Sequence, residues 1–200
     1  METIIRLMGP STLASEPWDL GLETEPGGQA RVHALVVDHF DFIWRLLRRF
    51  GVPESGADDA AQQVFLTATK RLSQIAAGSE QSYLFGIALR VAADERKKRQ
   101  RRREASIADE ADHVSVGPTP DELLEQRRAR ELMDRVLESM PTPLRSVLVL
   151  YEMEEMTMAE IAAMLGIPPG SVASRLRRAR EHFHDYVRRY QAKWEPRRYP

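Results

Sequence analysis

Apolar residues recur along this chain at helical spacing. Ala61, Val64, Phe65, Ala68 and Leu72 fall on one face of a segment whose other face carries Asp59, Gln62 and Gln63. Leu84, Ile87, Ala88 and Val91 mark a second amphipathic stretch, and Met158, Ile161, Ala162 and Leu165 a third. Val172, Leu176, Ala179, Phe183 and Val187 follow at spacings of four, three, four and four. Alternating Val/Ile/Thr runs and Asn-Gly or Asp-Gly turns are missing, so no strand is predicted. Helix starts are well marked. Thr119-Pro120-Asp121-Glu122 offers an N-cap with proline at the first helical position, and Thr142-Pro143 repeats that pair. Thr157 and Glu160 form a capping box, in which each side chain satisfies a backbone N–H at the other end. The pattern predicts helices near 30–50, 57–73, 80–103, 120–139, 142–153, 157–165 and 170–191.

Prolines and glycines divide the chain. Pro10, Pro17, Pro26, Gly21, Gly27 and Gly28 crowd an aperiodic start, predicting a disordered leader over 1–28. No proline falls between Pro53 and Pro118. Glu104 to Pro120 (EASIADEADHVSVGPTP) is acidic, poor in large apolar residues and closed by turn formers, which reads as a linker. The expected architecture is all-α: two small helical lobes, over 29–103 and 121–192, joined by a flexible acidic linker, the second a helix-turn-helix domain, with a tail over 193–200.

Composition narrows the function. The 200 residues suffice for one ordinary domain or two small ones. A net charge of −1, from 29 basic and 30 acidic residues, does not argue against nucleic acid, because the field depends on where the charges sit. The absence of cysteine excludes disulfides, thiol catalysis, cysteine zinc sites and iron–sulfur clusters. No apolar run approaches the roughly 18 residues of a membrane span, and Met1–Pro10 does not read as a signal peptide. A cytoplasmic protein without membrane insertion is expected. His33 and His39 are six apart and His182 and His184 two apart, so neither pair shares a helix face for a metal. With no glycine-rich phosphate loop and no catalytic triad, neither an enzyme nor a cofactor is expected.

Two charged features point to DNA. The turn Gly166-Ile167-Pro168-Pro169 separates two short amphipathic helices, the helix-turn-helix arrangement. The exposed face of its second helix carries Ser171, Ser174, Arg175 and Arg178 near the amino terminus, the end that enters the major groove in such motifs. Small hydroxyl residues admit a close phosphate, and arginine can bond guanine O6 and N7 in pairs. Arg177 and Arg180 turn toward the flank, where phosphate contact suits them better than base reading. The competing reading is a solvated helix face. The second feature is Arg96–Arg103 (RKKRQRRR), seven basic residues in eight. It either ends a helix with charges that favour the helix dipole or binds phosphates through counterion release. The Asp59, Gln62 and Gln63 face, taken alone, reads as solvated or as a binding site.

Together these segments resemble the extracytoplasmic-function (ECF) subfamily of bacterial RNA polymerase sigma factors, over roughly Arg31 to Tyr190. Asp58-Asp59-Ala-Ala-Gln62-Gln63-Val-Phe65-Leu is similar to the family's D-x-E-D-L-x-Q-E-x-F segment, with Ala60 for the usual Leu and Gln63 for the usual Glu. Tyr83-Leu84-Phe-Gly-Ile87-Ala88-Leu-Arg90-Val-Ala-Ala-Asp94-Glu-Arg96 resembles W-L-x-x-I-A-R-N-x-x-x-D-x-x-R, with Tyr83 for Trp and Arg90 for Asn. Met140-Pro141, Arg145, Leu150, Glu160-Ile161-Ala162, Leu165-Gly166-Ile167-Pro168, Gly170-Ser171-Val172, Ser174-Arg175-Leu176 and Arg178-Ala179-Arg180 resemble LP…R…L…EIA…LGIP-x-GTV-x-SRL-x-RAR. Ala173 replaces a frequent Lys or Arg there.

The resemblance implies a sigma factor that directs core RNA polymerase to promoter DNA, with no cofactor. Asp59, Gln62 and Gln63 would dock on core polymerase. Tyr83, Arg90, Arg96, Lys97, Lys98 and Arg99 would handle the downstream (minus-ten) box, and Ser171, Ser174, Arg175, Arg177 and Arg178 the upstream (minus-thirty-five) box. It also implies an anti-sigma factor as partner. A helix-turn-helix regulator independent of core polymerase is the alternative; it leaves the first lobe's segments unexplained. The seventeen linker residues span up to about 56 Å at roughly 3.3 Å each, more than the ~34 Å of one DNA turn, so two lobes could reach separate boxes.

Overall fold

The computed structural model describes residues 26–105 and 120–194. All regular structure among them is helical, and the chain divides into two compact units.

The first unit holds α1 (Pro26–Arg49), α2 (Glu54–Thr69), a 3-10 turn (Leu72–Gln74) and α3 (Glu80–Ala105). The three helices pack on one another around Ile43, Leu46, Leu47, Phe50, Val64, Phe65, Leu84, Ala88 and Ala92, all buried. Burying a side chain such as Phe65 or Leu84 contributes roughly 1.5–3 kcal/mol, and the Phe65 ring also stacks on Phe40 at 6.3 Å between centroids. The corner after α1 is closed by Gly51 at φ 90°, which lets Val52 N–H reach back to the Leu47 carbonyl at 3.0 Å. Two side chains fasten the helices end to end. Trp44 Nε1 donates to Asp58 Oδ1 at 2.8 Å, and Arg31 Nη2 donates to the Ile75 carbonyl at 2.6 Å.

The second unit holds α4 (Pro120–Ser139), α5 (Thr142–Glu152), α6 (Met158–Leu165) and α7 (Pro169–Trp194). From Arg145 to Leu150 every residue of α5 is buried, and α7 packs against all three other helices of the unit, most extensively against α5. Arg145, only 1% exposed, belongs to that core for a specific reason. Its Nη2 donates to the carbonyls of Glu138 at 2.8 Å and Met140 at 3.2 Å. Carbonyls at the end of α4 have no partner within their own helix, and the guanidinium satisfies them.

Several expectations are corrected. α1 begins at Pro26, inside the expected leader, because proline is at ease in a first helical turn and Gly27–Gly28 do not delay the start. α2 begins at Glu54 rather than near 57 and stops at Thr69, after which the chain tightens into the 3-10 turn instead of continuing to 73. α5 starts at Thr142 with Pro141 at the cap position and no side-chain cap, so Thr142 does not cap it. The Thr119 cap and residues 106–119 of the expected linker lie outside the described residues, while Glu104 and Ala105 still belong to α3. α7 runs to Trp194, three residues past the expected end and into the expected tail. Met158 is 37% exposed, and Leu72, Val91, Leu165, Phe183 and Val187 are half-buried, so the faces assigned to them are covered only in part.

Candidate functional site

The helix-turn-helix is built by α6, a three-residue turn and α7. Thr157 caps α6 as anticipated: Glu160 N–H donates to Thr157 Oγ1 at 3.3 Å, and Thr157 N–H donates to Glu160 Oε2 at 2.8 Å. The Thr157 hydroxyl, and then its backbone N–H, hold the Glu160 carboxyl below the ordinary 4.5 by stabilising its charged form. Gly166 ends α6 at φ 63°, the left-handed conformation that glycine adopts at least cost. Its N–H returns to the α6 carbonyls, and the Ile167 N–H reaches the Ala162 carbonyl at 3.0 Å. Proline at the first position of α7 then fits, since that N–H would have no helical partner. The turn is therefore Gly166–Pro168, one residue shorter than expected.

Val172, Leu176 and Ala179 anchor the start of α7 in the core. This turns Ser171, Ser174, Arg175 and Arg178 together onto one face, at i, i+3, i+4 and i+7. Ser174 and Arg178 are exposed, and Ser171 and Arg175 half-exposed. Ser174 Oγ donates to the Ser171 carbonyl at 3.0 Å, which leaves its oxygen able to accept. Among the described residues, Arg175 and Arg178 have no hydrogen-bond or ion-pair partner. Arg177 differs: Glu181, one turn on, takes its guanidinium at 2.7 Å. Arg180 differs further. It bonds Glu152 at the end of α5 at 2.6 Å and lies over the Tyr151 ring at 5.4 Å, so it fastens α7 to α5.

In the first unit, Asp59 and Gln63 are exposed on α2 and Gln62 is half-buried beside them. Gln63 Nε2 donates to Thr67 Oγ1 at 3.2 Å. Tyr83 is half-buried in the first turn of α3 and Arg90 is exposed. The basic run separates into different environments. The Arg96 stem lies across Gly51, where an added Cβ would stand 3.3 Å from Arg96 Cδ, and its buried Nε has no hydrogen-bond partner among the described residues. Packing, rather than an open cationic surface, therefore holds the inner part of Arg96. Lys98 pairs with Glu95 at 2.6 Å. Lys97, Arg101 and Arg102 are exposed and Arg99 is half-buried.

Trp44, Arg31 and Glu152 were not singled out in the sequence, yet they position the α2 polar face, the start of α3 and the recognition helix. Each acts through a contact between distant segments, which helical periodicity does not encode. Among the described residues, no group of histidine, aspartate or glutamate side chains could hold a metal ion, and no helix is long and apolar enough to cross a membrane.

A helix-turn-helix whose recognition helix presents unpaired arginines beside hydroxyl groups defines a DNA-binding protein of the helix-turn-helix class. The family described as Sigma-70 region 2 matches residues 35–102, and that described as Sigma-70, region 4 matches residues 130–183. The chain is 30% identical over 172 residues to the ECF RNA polymerase sigma-E factor of Escherichia coli K12, covering 82% of this chain and 90% of that one. It is 26% identical over 181 residues to the ECF RNA polymerase sigma factor SigE of Mycolicibacterium smegmatis, covering 88% and 70%. Among solved structures it is similar to CnrH in complex with the cytosolic domain of CnrY, with TM-score 0.56, 26% identity and coverage of 80% and 88%. The fold is also that of the sigma factor RpoE from Bartonella quintana, crystallised with the anti-sigma factor NepR, at TM-score 0.54, 18% identity and coverage of 76% and 94%. The chain belongs to the ECF family of RNA polymerase sigma factors. The match over 35–102 accounts for the first unit, which an independent helix-turn-helix regulator leaves without a role.

Proposed function

We propose that this sigma factor divides its work between two DNA surfaces and one protein surface. Asp59, Gln62 and Gln63 on α2 dock on core polymerase. Tyr83, Arg90 and the cations Lys97, Lys98 and Arg99 engage the downstream box, with Arg96 holding their helix against the α1 corner. Ser171, Ser174, Arg175 and Arg178 read the upstream box, and Arg177 adds a phosphate contact once it leaves Glu181. The domain limits follow: 29–103 for the first function, 121–192 for the second and a linker between. The observation that carries this reading is that one chain holds both a region 2 unit and a helix-turn-helix whose second helix carries two uncommitted arginines on one face.

The protein works in the cytoplasm, without catalysis and without a cofactor, as a detachable subunit. An anti-sigma factor is its regulatory partner, a reading supported by similarity to CnrH, whose solved structure holds the cytosolic domain of CnrY. Co-elution with core RNA polymerase tests the assignment. The wild-type chain should elute with the core, and a folded Asp59→Lys/Gln62→Ala variant should bind at least tenfold more weakly. Unchanged co-elution of that variant refutes the α2 surface. A wild-type chain that shifts promoter DNA alone and ignores the core returns the reading to an independent regulator.

A further inference from the structure

Two carboxylates sit one helical turn from cations on the surfaces assigned to DNA. On α7, Glu181 follows Arg178 by three residues and Arg177 by four, both spacings that bring side chains together on a helix. Arg177 Nη1 donates to Glu181 Oε1 at 2.7 Å, and Arg178 is left uncommitted. On α3, Glu95 takes Lys98 at 2.6 Å, while Lys97 has no ion-pair partner among the described residues. In each unit, cations that are neighbours in sequence divide into one held by the chain's own carboxylate and one left open.

The held cations are not buried. Side-chain exposure is 66% for Arg177 and 57% for Lys98, and both pairs are local to one helix. Such pairs add little to the stability of a fold. What they change is the charge shown to DNA. A cation already balanced by a carboxylate does not neutralise a phosphate, so it releases no counterion from the duplex. Arg177 stands roughly 100° round α7 from Arg178, on the flank that suits a phosphate, and phosphates carry no sequence information. Glu181 therefore weakens a contact available on any duplex and leaves Arg175 and Arg178 free for base edges. Glu95 does the same to one cation of a run whose whole contribution is independent of sequence.

We propose that Glu181 and Glu95 restrain the sequence-independent hold of this chain on DNA, so that base reading supplies a larger share of its binding. The proposal rests on the two DNA surfaces assigned above. Genomic DNA offers non-specific sites in large excess, and a chain with fewer phosphate contacts is held less firmly on them.

Fluorescence anisotropy of the full chain on a short duplex of shuffled sequence, over a series of salt concentrations, tests the proposal. Glu181→Gln and Glu95→Gln should each bind about twofold to fivefold more tightly, with a log–log salt slope steeper by about one. The double variant should multiply the two gains, because the pairs lie in separate units and share no partner. With Arg177→Ala already present, Glu181→Gln should leave the slope unchanged, since no cation remains to be freed. Unchanged affinity and slope in both glutamine variants overturn the proposal. So does an equal gain from Glu181→Gln with and without Arg177, which would reduce the carboxylate to one negative charge among many. Loss of the upstream box by Arg175→Ala/Arg178→Ala holoenzyme, together with unchanged glutamine variants, overturns the restraint alone. An unaffected Arg175→Ala/Arg178→Ala holoenzyme overturns the reading face, and the restraint at Glu181 with it.

Discussion

Glu152 at the end of α5 holds Arg180 of α7: the carboxylate meets the guanidinium at 2.6 Å, and Tyr151 lies beneath it. Of four arginines within six residues, this one joins two helices. Arg180→Ala should lower the stability of the second unit by about 1 kcal/mol, from a half-exposed ion pair and a cation–π contact. Promoter affinity at saturating folded protein should not change. Thermal denaturation with binding measured well below the transition checks both.

Arg175 and Arg178 behave oppositely. Each alanine variant should keep wild-type stability and lose about 1–3 kcal/mol of upstream-box binding, roughly fivefold to over a hundredfold. Footprinting of holoenzyme on a target promoter reads this; unchanged protection of the upstream box by both variants removes their assignment.

Along the basic run, neighbours should separate by role. Lys97→Ala should reduce binding to all promoters alike and lower the log–log salt slope by about one. Lys98→Ala should do less, since Glu95 already occupies its ammonium. Gly51→Ala forces a side chain into a left-handed backbone at φ 90° and against Arg96. It should cost about 1–2 kcal/mol of stability and leave the salt slope unchanged.

The α6 cap gives a pH dependence of defined sign. Because the folded-state pKa of Glu160 is depressed below 4.5, its contribution is complete above that value and fades as pH falls through the lowered one. Thr157→Ala should cost about 1 kcal/mol at neutral pH and return the Glu160 carboxyl toward its ordinary pKa. An NMR titration of that carboxyl reads the return directly; an unmoved midpoint contradicts the hydrogen-bond account.

The helices were legible because their signals are local. Thr157, Glu160 and Gly166 sit a few residues apart and dictate the cap and turn, and Val172, Leu176 and Ala179 fix which face of α7 is buried. Helix ends were less legible: Gly27–Gly28 fell in the expected leader and the second helix was expected only from 57, yet Gly27–Gly28 and Ser55–Gly56 each lie within the first three residues of a helix, where a proline in or before the first turn outweighs them. For the site, periodicity identified Arg175 and Arg178 and turned Arg180 toward the flank, but could not show that Arg180 bonds Glu152 or that Arg96 packs on Gly51. Those fates depend on Glu152, Tyr151 and Gly51, tens of residues away in the chain. Cations that look alike in a run are sorted only by what the fold brings beside them.

Transcription from defined components tests the central claim most directly. Promoters can be chosen by sequencing transcripts after overexpression of the chain, then assembled with purified core polymerase. The account predicts run-off transcripts that start at those promoters only when this chain is added, and that fall at least tenfold with Arg175→Ala/Arg178→Ala. Equal transcription by core polymerase alone, or none with the chain present while the chain by itself protects the same DNA, would contradict it.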